Sequence, residues 1–367
     1  DTFGNPQFVY AWKLVPTDKT PAGKREDISL REKVKDIQKD LDDGIDTIGK
    51  KMTVCQLYAK QIRHRGNVRY NTKNGRKRLM KLLEEDKLGG CPIDSVKLSD
   101  AKEWAIRMKE KGISYKTISN DKRSLKAAFY TAIQDDCIRK NPFDFQLNTV
   151  IEDDTEPKVP LTPAQEESFL SFAQNDKVYQ KYYDELIILL GTGLRISELC
   201  GLTDTDINFE NRIINVDHQL LRSAETGYYI ETPKTKSGIR QIPMSEKVYE
   251  AFNRVLKRRR GAKAVTIDGY SNFLFLNRDG YPKTATNYDG MFRGLAKKYN
   301  KYHEEALPKV MTPHTLRHTF CTNMANAGMN PKALQYIMGH SNITMTLNYY
   351  AHATFDSAKA EMLRIAA

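Results

Sequence analysis

Three short segments of this 367-residue chain hold the side chains best suited to chemistry on an anion. In Gly191–Leu202 (GTGLRISELCGL), the apolar run Leu186–Leu190 turns through Gly193 and presents Arg195 at the start of a second helix. A guanidinium beside glycine turns and a helix N-terminus suits a phosphate, because its planar donors and free backbone N–H groups converge there. The competing reading is that Arg195 caps a carboxylate such as Glu198. In Thr312–Thr319 (TPHTLRHT), Thr312 reads as an N-cap and Pro313 as a first helical residue. His314 and Arg317, three apart, then share a face. His318 completes a His-x-x-x-His pair with His314, but the zinc-protease form needs a Glu directly after the first His, where Thr315 stands. With no third ligand apparent, no metal is expected. In Ile337–His352 (IMGHSNITMTLNYYAH), His340 follows a glycine, Ser341 and Thr344 offer caps, and Tyr349 and Tyr350 close the run. Tyrosines near a helix end are usually interface or core residues, but one ten residues past a Gly-His, downstream of two such arginines, is much less usual.

The elements that must position these groups differ along the chain. From Thr53 to Ala132 the pattern is almost wholly helical, with apolar stripes over Thr53–Ile62, Arg76–Leu83, Ser99–Lys111 and Tyr115–Asp135. Glu152–Pro163 (EDDTEPKVPLTP) has three prolines and no apolar periodicity, and reads as a linker. An α+β pattern follows. Helices lead to Leu186–Leu190, strands fall around Arg212–Val216, Tyr228–Thr232, Arg240–Pro243 and Phe273–Leu276, and helices return after Thr312, Pro331 and Thr354. Ahead of all this, Gln7–Val15 (QFVYAWKLV) reads as a strand that Pro16 and Pro21–Gly23 break. A helix is expected from Ser29, as its cap, to the stop at Asp42–Gly44. One strand and one helix make a poor domain, and the first residue is Asp rather than Met, so this segment reads as the remainder of a longer N-terminal domain.

Lys and Arg number 58 against 46 Asp and Glu, a formal charge of +12, which favours a polyanionic partner. No apolar run approaches the ~20 residues of a membrane span, which excludes an integral membrane protein of the helical kind. Five scattered cysteines form neither a zinc knuckle nor a disulfide framework, as suits a reducing cytosol. Between Gln61 and Leu83 lie eight cations (Arg63, Arg65, Arg69, Lys73, Arg76, Lys77, Arg78, Lys81) and no acid, interleaved with Asn67, Asn71, Thr72 and Asn74. A second candidate surface is Tyr115–Lys126, where Lys116, Thr117, Asn120, Arg123 and Lys126 recur at helical spacing. Both runs fit a solvated basic face. Both also fit phosphate contact, with Asn and Thr reaching base edges. Lys257–Arg260 reads as a solvated helix end.

Taken together, Arg195 in TGLRISEL, His314 and Arg317 in PHTLRHTF, and His340 in GHSNITMTLNYYAH resemble the tyrosine recombinases, or phage-type integrases, in the family's order. Wider similarity, in FVYAWKLV, AKEWAIRM and NPKALQYIMGH, looks like the integrases of conjugative transposons from Gram-positive bacteria. The resemblance implies a multidomain fold: a partial small α+β arm-binding domain over residues 1–49, an all-α core-binding domain over 50–151, a linker over 152–163, and a mixed α+β catalytic domain with a tail helix over 164–367. The basic helices would supply DNA-binding residues, with Arg63, Arg65, Arg69, Asn71, Lys73, Arg76, Lys116, Thr117, Asn120 and Arg123 as candidates.

The implied reaction is cutting and rejoining of DNA through a 3′-phosphotyrosyl intermediate, to integrate and excise a mobile element without metal or other cofactor. Arg195 and Arg317 would clamp the non-bridging oxygens, and His314 and His340 would donate hydrogen bonds or assist proton movement. The leaving 5′-oxygen would take its proton from a lysine on a hairpin, here Ile230–Pro243, with Lys236 preferred over Lys234. Tyr349 lies nine residues beyond His340 and Tyr350 ten. Tyr350 is chosen because Ala351-His352 follows it, as the family pattern requires. Implied partners are core-type and arm-type double-stranded DNA, further copies of the chain from dimer to tetramer, with the tail from Thr354 docking on a neighbouring protomer, and an excision accessory protein. A bacterial cytoplasm, on the nucleoid when acting, is the implied location. The rival reading is a type IB-like topoisomerase, which reseals the same strand.

Overall fold

The computed structural model describes residues 21–42, 49–66, 68–156, 159–233, 235–259, 265–350 and 362. The chain forms two compact units and passes from one to the other between Thr155 and Glu156.

The first unit is helical: α1 (Pro21–Asp42), α2 (Val54–His64), α3 (Tyr70–Glu84), α4 (Leu98–Glu110) and α5 (Tyr115–Gln134). Helix α1 starts eight residues before Ser29, which lies inside it rather than capping it. Proline at a first helical position surrenders an N–H that would have no intrahelical partner anyway, so Pro21 opens the helix where a break was expected. The strand expected at Gln7–Val15 lies outside the described residues. Thr53 caps α2 reciprocally with Gln56, the Gln56 amide donating to Thr53 Oγ1 (3.2 Å) and the Thr53 amide to Gln56 Oε1 (2.8 Å). Helix α3 begins at Tyr70 rather than Arg76: its first two turns bury no residue fully, and Leu79 and Leu83 are its fully buried positions, with Met80 and Leu82 packed beside them. Trp104 meets Phe143 edge to face at 5.8 Å, and Phe129 packs on the same ring at 5.4 Å. Each such fully buried side chain contributes about 1.5–3 kcal/mol, so this aromatic centre holds the helices together.

In the second unit, α6 (Pro163–Asn175), α7 (Tyr183–Thr192) and α8 (Ile196–Gly201) lead into β1 (Ile207–Asn208), β2 (Ile213–Val216), β3 (Gln219–Ser223), β4 (Gly227–Glu231) and β5 (Arg240–Pro243). Then come α9 (Glu246–Arg259), α10 (Ala285–Tyr302), α11 (Pro313–Asn326), α12 (Pro331–Met338) and α13 (Thr344–Leu347). The last two residues of the expected linker are the cap and first residue of α6: the Gln165 amide donates to Thr162 Oγ1, and Pro163 follows.

Two antiparallel sheets form, β1-β2-β5 and β3-β4, with Ile214 opposite Ile242 and Leu221 opposite Tyr229. Ile230–Pro243 is therefore not a hairpin. Its ends pair in different sheets, and Lys236–Gly238 is a 3-10 turn in the connection. Pro233 has no N–H to extend the β4 ladder. It packs so tightly on Gly238 that a Cβ there would lie 2.3 Å from the proline Cβ. The Phe273–Leu276 segment makes isolated bridges at Thr203–Phe273 and Leu276–Pro282 rather than a strand, its amides and carbonyls pairing with loops. Nor is the end of α9 merely solvated: Arg258 binds Asp184 at 2.6 Å, and Arg259 Nε donates to the Phe273 carbonyl at 2.6 Å. Leu189, Leu194, Leu199, Ile214, Phe252, Phe292 and Leu316, all fully buried, form the main core. A smaller cluster of Phe320, Cys321, Leu334 and Met338 carries Tyr349 and Tyr350 on its edge.

Candidate active site

The ends of α7, α8 and α12 build the site. Gly193 closes α7 in the left-handed region (φ 64°), and a Cβ on it would lie 2.4 Å from the Phe320 ring, so the turn admits only glycine. Two residues on, Arg195 is the N-cap of α8. Its amide donates to Glu198 Oε2 (2.9 Å), its Nη1 to Glu198 Oε1 (2.7 Å) and its Nη2 to the Gly339 carbonyl (3.1 Å). The carboxylate contact weighed from sequence is thus real. Yet Arg195 keeps a third of its side chain exposed while Glu198 is buried.

Arg317, buried on α11, donates to the carbonyls of Gly193 and Met338, tying the turn after α7 to the end of α12. Gly339 ends α12, again left-handed (φ 62°), and His340 follows, buried. Thr346 Oγ1 holds the His340 ring through Nδ1 at 2.9 Å, and the His340 amide donates to the Gln335 carbonyl.

Sequence reasoning missed the residue that completes this cluster. Arg240, at the start of β5, donates Nη1 and Nη2 to Glu198 Oε1 (3.0 Å) and Oε2 (2.8 Å), Nη1 also to the Gly238 carbonyl (3.0 Å), and Nε to the Ile337 carbonyl (2.6 Å). The strand's alternation, with Arg240 and Ile242 buried between exposed Gln241 and Pro243, was the available signal.

Two guanidiniums thus bind one carboxylate, and the charge of a third, Arg317, reaches it. Burial opposes ionisation of Glu198, but the hydrogen bonds and charge of Arg240, with Arg195 and Arg317, outweigh it and hold the carboxyl at about 2. Burial, then the neighbouring Arg195, lowers Arg317 to about 9, which leaves it charged at neutral pH. Burial and the charges of Arg317, Arg195 and Arg240 push His340 down to about 4, so its imidazole is neutral. A net positive, partly desolvated centre of this kind is built to receive an anion.

The remaining predicted residues are less closely gathered. His314 stands exposed on the first turn of α11, whereas Arg317 one turn on is buried. Lys236 is exposed on its turn, and that turn leans on the His340 loop: a Cβ on Gly339 would lie 3.0 Å from the Ser237 carbonyl oxygen. Lys234 and the tail from Thr354, except residue 362, lie outside the described residues. Tyr350 donates its hydroxyl to the Met329 carbonyl, away from the arginines. Tyr349 Oη lies 3.3 Å from His318 Nε2, and burial raises its hydroxyl to about 12 against the lowering pull of Arg317. His318 is therefore engaged with a tyrosine. Among the described residues, the grouping with metal-like ligand spacing is Asp206, Asp217 and His218, elsewhere in the unit. There the imidazole nitrogens already face the Asp217 carboxylate and the Gly201 carbonyl.

On the helical unit, Arg63, Arg65, Asn71, Lys73, Lys116, Asn120 and Arg123 are exposed, and Arg69, Arg76 and Thr117 are half-buried. Thr117 Oγ1 accepts from the Ser114 hydroxyl as part of the cap of α5, and Arg123 Nη1 donates to Asn120 Oδ1. Arg78, in the same basic run, is structural: it binds both oxygens of buried Asp121 at 2.5 and 2.7 Å and fastens α3 to α5.

The phage integrase family model matches residues 160–357, and a model of the DNA-binding domain of Tn916 integrase matches residues 1–41. The transposase from transposon Tn916 of Enterococcus faecalis is 69% identical over 365 residues, covering 100% of this chain and 90% of the relative. Tyrosine recombinase XerC of Bacillus subtilis is 26% identical over 265 residues, 72% of this chain and 78% of the relative. Among solved structures, the Tn1549 transposon integrase in complex with a circular intermediate DNA is 78% identical with a TM-score of 0.82, covering 86% of this chain and 99% of that one. The same integrase, as a tyrosine-to-phenylalanine variant with transposon right end DNA, is 78% identical with a TM-score of 0.81, covering 86% and 100%. With the ordered arginine and histidine motifs gathered around one buried carboxylate, these matches establish that this chain belongs to the phage integrase family of tyrosine recombinases.

Proposed function

We propose that this protein is a site-specific DNA recombinase that integrates and excises a mobile element of the conjugative-transposon kind through a 3′-phosphotyrosyl intermediate. The observation that carries this reading is the convergence of Arg195 and Arg317 beside His340, where Arg195 and Arg240 share the single carboxylate of Glu198 and Arg317 adds its charge. Arg195 and Arg317 hold the non-bridging oxygens of the scissile phosphate and stabilise the charge that grows on them in the transition state. The Tyr350 oxygen attacks phosphorus. As that O–P bond forms, the bond to the 5′-oxygen breaks, the phenolic proton passes to neutral His340 or to His314, and the leaving oxygen takes a proton from Lys236. Rejoining reverses each step with another 5′-hydroxyl, so the chemical steps need no nucleotide energy source.

The element type is supported by 69% identity to the Tn916 transposase and by solved complexes of the Tn1549 integrase with circular intermediate and transposon right end DNA. These relatives favour recombination over a type IB-like topoisomerase. On this reading residues 50–151 bind core-type sites, residues 1–49 belong to an arm-binding domain, and copies of the chain assemble on DNA up to a tetramer, with an excision accessory protein setting direction. The place of action is the bacterial cytoplasm, on the nucleoid. No helix among the described residues is long and apolar enough to cross a membrane.

A second reading of the nucleophile is favoured by one contact: Tyr349, not Tyr350, hydrogen-bonds His318 and feels Arg317. Tyr350→Phe and Tyr349→Phe, each incubated with a suicide substrate carrying the element's end, separate the two. The covalent adduct is expected to vanish in Tyr350→Phe and persist in Tyr349→Phe; the reverse pattern makes Tyr349 the nucleophile.

A further inference from the structure

We propose that Arg240 is a positioning residue that holds the Lys236 turn in register with the phosphate-binding arginines, so that the leaving 5′-oxygen is protonated as it departs. The inference rests on the reading of the Lys236 turn as the source of the general acid. The Arg240 side chain is completely buried, and its fork reaches acceptors on three elements. Glu198 belongs to the helix that Arg195 opens. The Gly238 carbonyl ends the turn that starts at Lys236. The Ile337 carbonyl lies three residues before His340. That turn is itself closed by the Gly238 amide on the Thr235 carbonyl (2.9 Å) and the Ile239 amide on the Lys236 carbonyl (3.1 Å), so fixing Gly238 fixes the backbone of Lys236. There is no slack between the pieces: a Cβ on Gly339 would meet the Ser237 oxygen at 3.0 Å and Arg240 Nη1 at 3.1 Å. Only a planar guanidinium presents donors in three directions. The lysine ammonium offers its donors from one atom and cannot span these acceptors.

The decisive substrate is a suicide duplex whose scissile 5′-bridging oxygen is replaced by sulfur, because a thiolate leaves without a proton while an alkoxide does not. Covalent-adduct formation by Arg240→Lys, in the full chain under single-turnover conditions, is expected to fall about 100-fold on the ordinary phosphodiester. On the sulfur substrate it should recover to within about tenfold of the parent protein, with little change in DNA affinity. An equal loss on both substrates, or no loss on the phosphodiester, overturns the proposal. Lys236→Ala run in parallel separates this from the acid assignment. If Arg240→Lys is rescued and Lys236→Ala is not, positioning stands and another group of the turn is the acid. If only Lys236→Ala is rescued, Lys236 is the acid and positioning by Arg240 falls. Should Arg240→Lys lose its cooperative unfolding transition, Gly339→Ala provides the same readout, since it displaces the Ser237 carbonyl and Arg240 without deleting either; absence of rescue there counts against the proposal equally.

Discussion

The two units handle positive charge in opposite ways. In the helical unit, cations that touch acids do so in pairs, Arg78 with Asp121, Arg107 with Asp86 and Lys60 with Asp135, and many others stand in solvent on α2, α3 and α5. In the catalytic unit, Arg195 and Arg240 bind buried Glu198 and Arg317 lies close by; Arg240 and Arg317 are buried and Arg195 is one-third exposed. Exposed charges are screened over ~8–10 Å at physiological salt and act by number. Buried ones act singly, because a low dielectric multiplies each interaction and desolvation has already been met by the fold. In the proposed function, the first surface finds and holds a duplex. The other is suited to one phosphate.

Substitutions that break the crowded centre should have the largest effect. Arg195→Ala is expected to slow covalent-adduct formation about 1,000-fold while leaving DNA affinity within a few-fold, because in the proposed mechanism Arg195 supplies donors to a single phosphate. Rates and gel-shift affinities measured together check this, and a parallel fall in both would erase the distinction between the units.

The next effect is on stability. His340 is held at about 4, below its unfolded value of ~6.5, so the unfolded chain binds more protons between these limits. The stabilisation is complete above pH ~6.5 and drains away as pH falls towards 4, by up to about 3 kcal/mol. Glu198, held at about 2, adds a loss only between pH ~4.5 and 2. Unfolding followed from pH 7 to pH 4.5 should show a slope that His340→Gln flattens; identical slopes would remove His340 as its source.

The smallest effects should come from the helical surface. Lys73→Ala or Arg123→Ala is expected to weaken DNA binding two- to fivefold at ~0.15 M salt and to reduce the salt slope by about 1, with adduct formation at saturating DNA unchanged. A hundredfold loss from one such change would mean that this surface, too, concentrates its energy in single residues.

Much of the architecture was legible because local rules govern it. Thr53 and Gln56 cap α2 as their spacing requires, and β5 runs over Arg240–Pro243 as expected. Helices α9 and α10 carry apolar stripes at Val248, Ala251, Phe252 and Val255, and at Tyr288, Met291, Phe292, Leu295 and Tyr299, a helical spacing readable in the sequence. The start of α3 was hidden because its first turns fully bury no apolar residue and so have no apolar periodicity to read. The false hairpin at Ile230–Pro243 arose because two strand-like runs bracketing a glycine look alike whether they pair with each other or, as here, with β3 and β2.

By itself, the sequence determined the family, since the motifs around Arg195, Arg317 and His340 are short and their turns and caps are set within a few residues. Only the tertiary structure decided how those groups are charged and held. Glu198 and Arg240 stand 42 residues apart, and Arg240 and the Ile337 carbonyl 97 apart. No periodicity links positions so distant. Their meeting follows from packing α8, β5 and α12 into one core, where a buried carboxylate must find cations and a buried guanidinium must find acceptors.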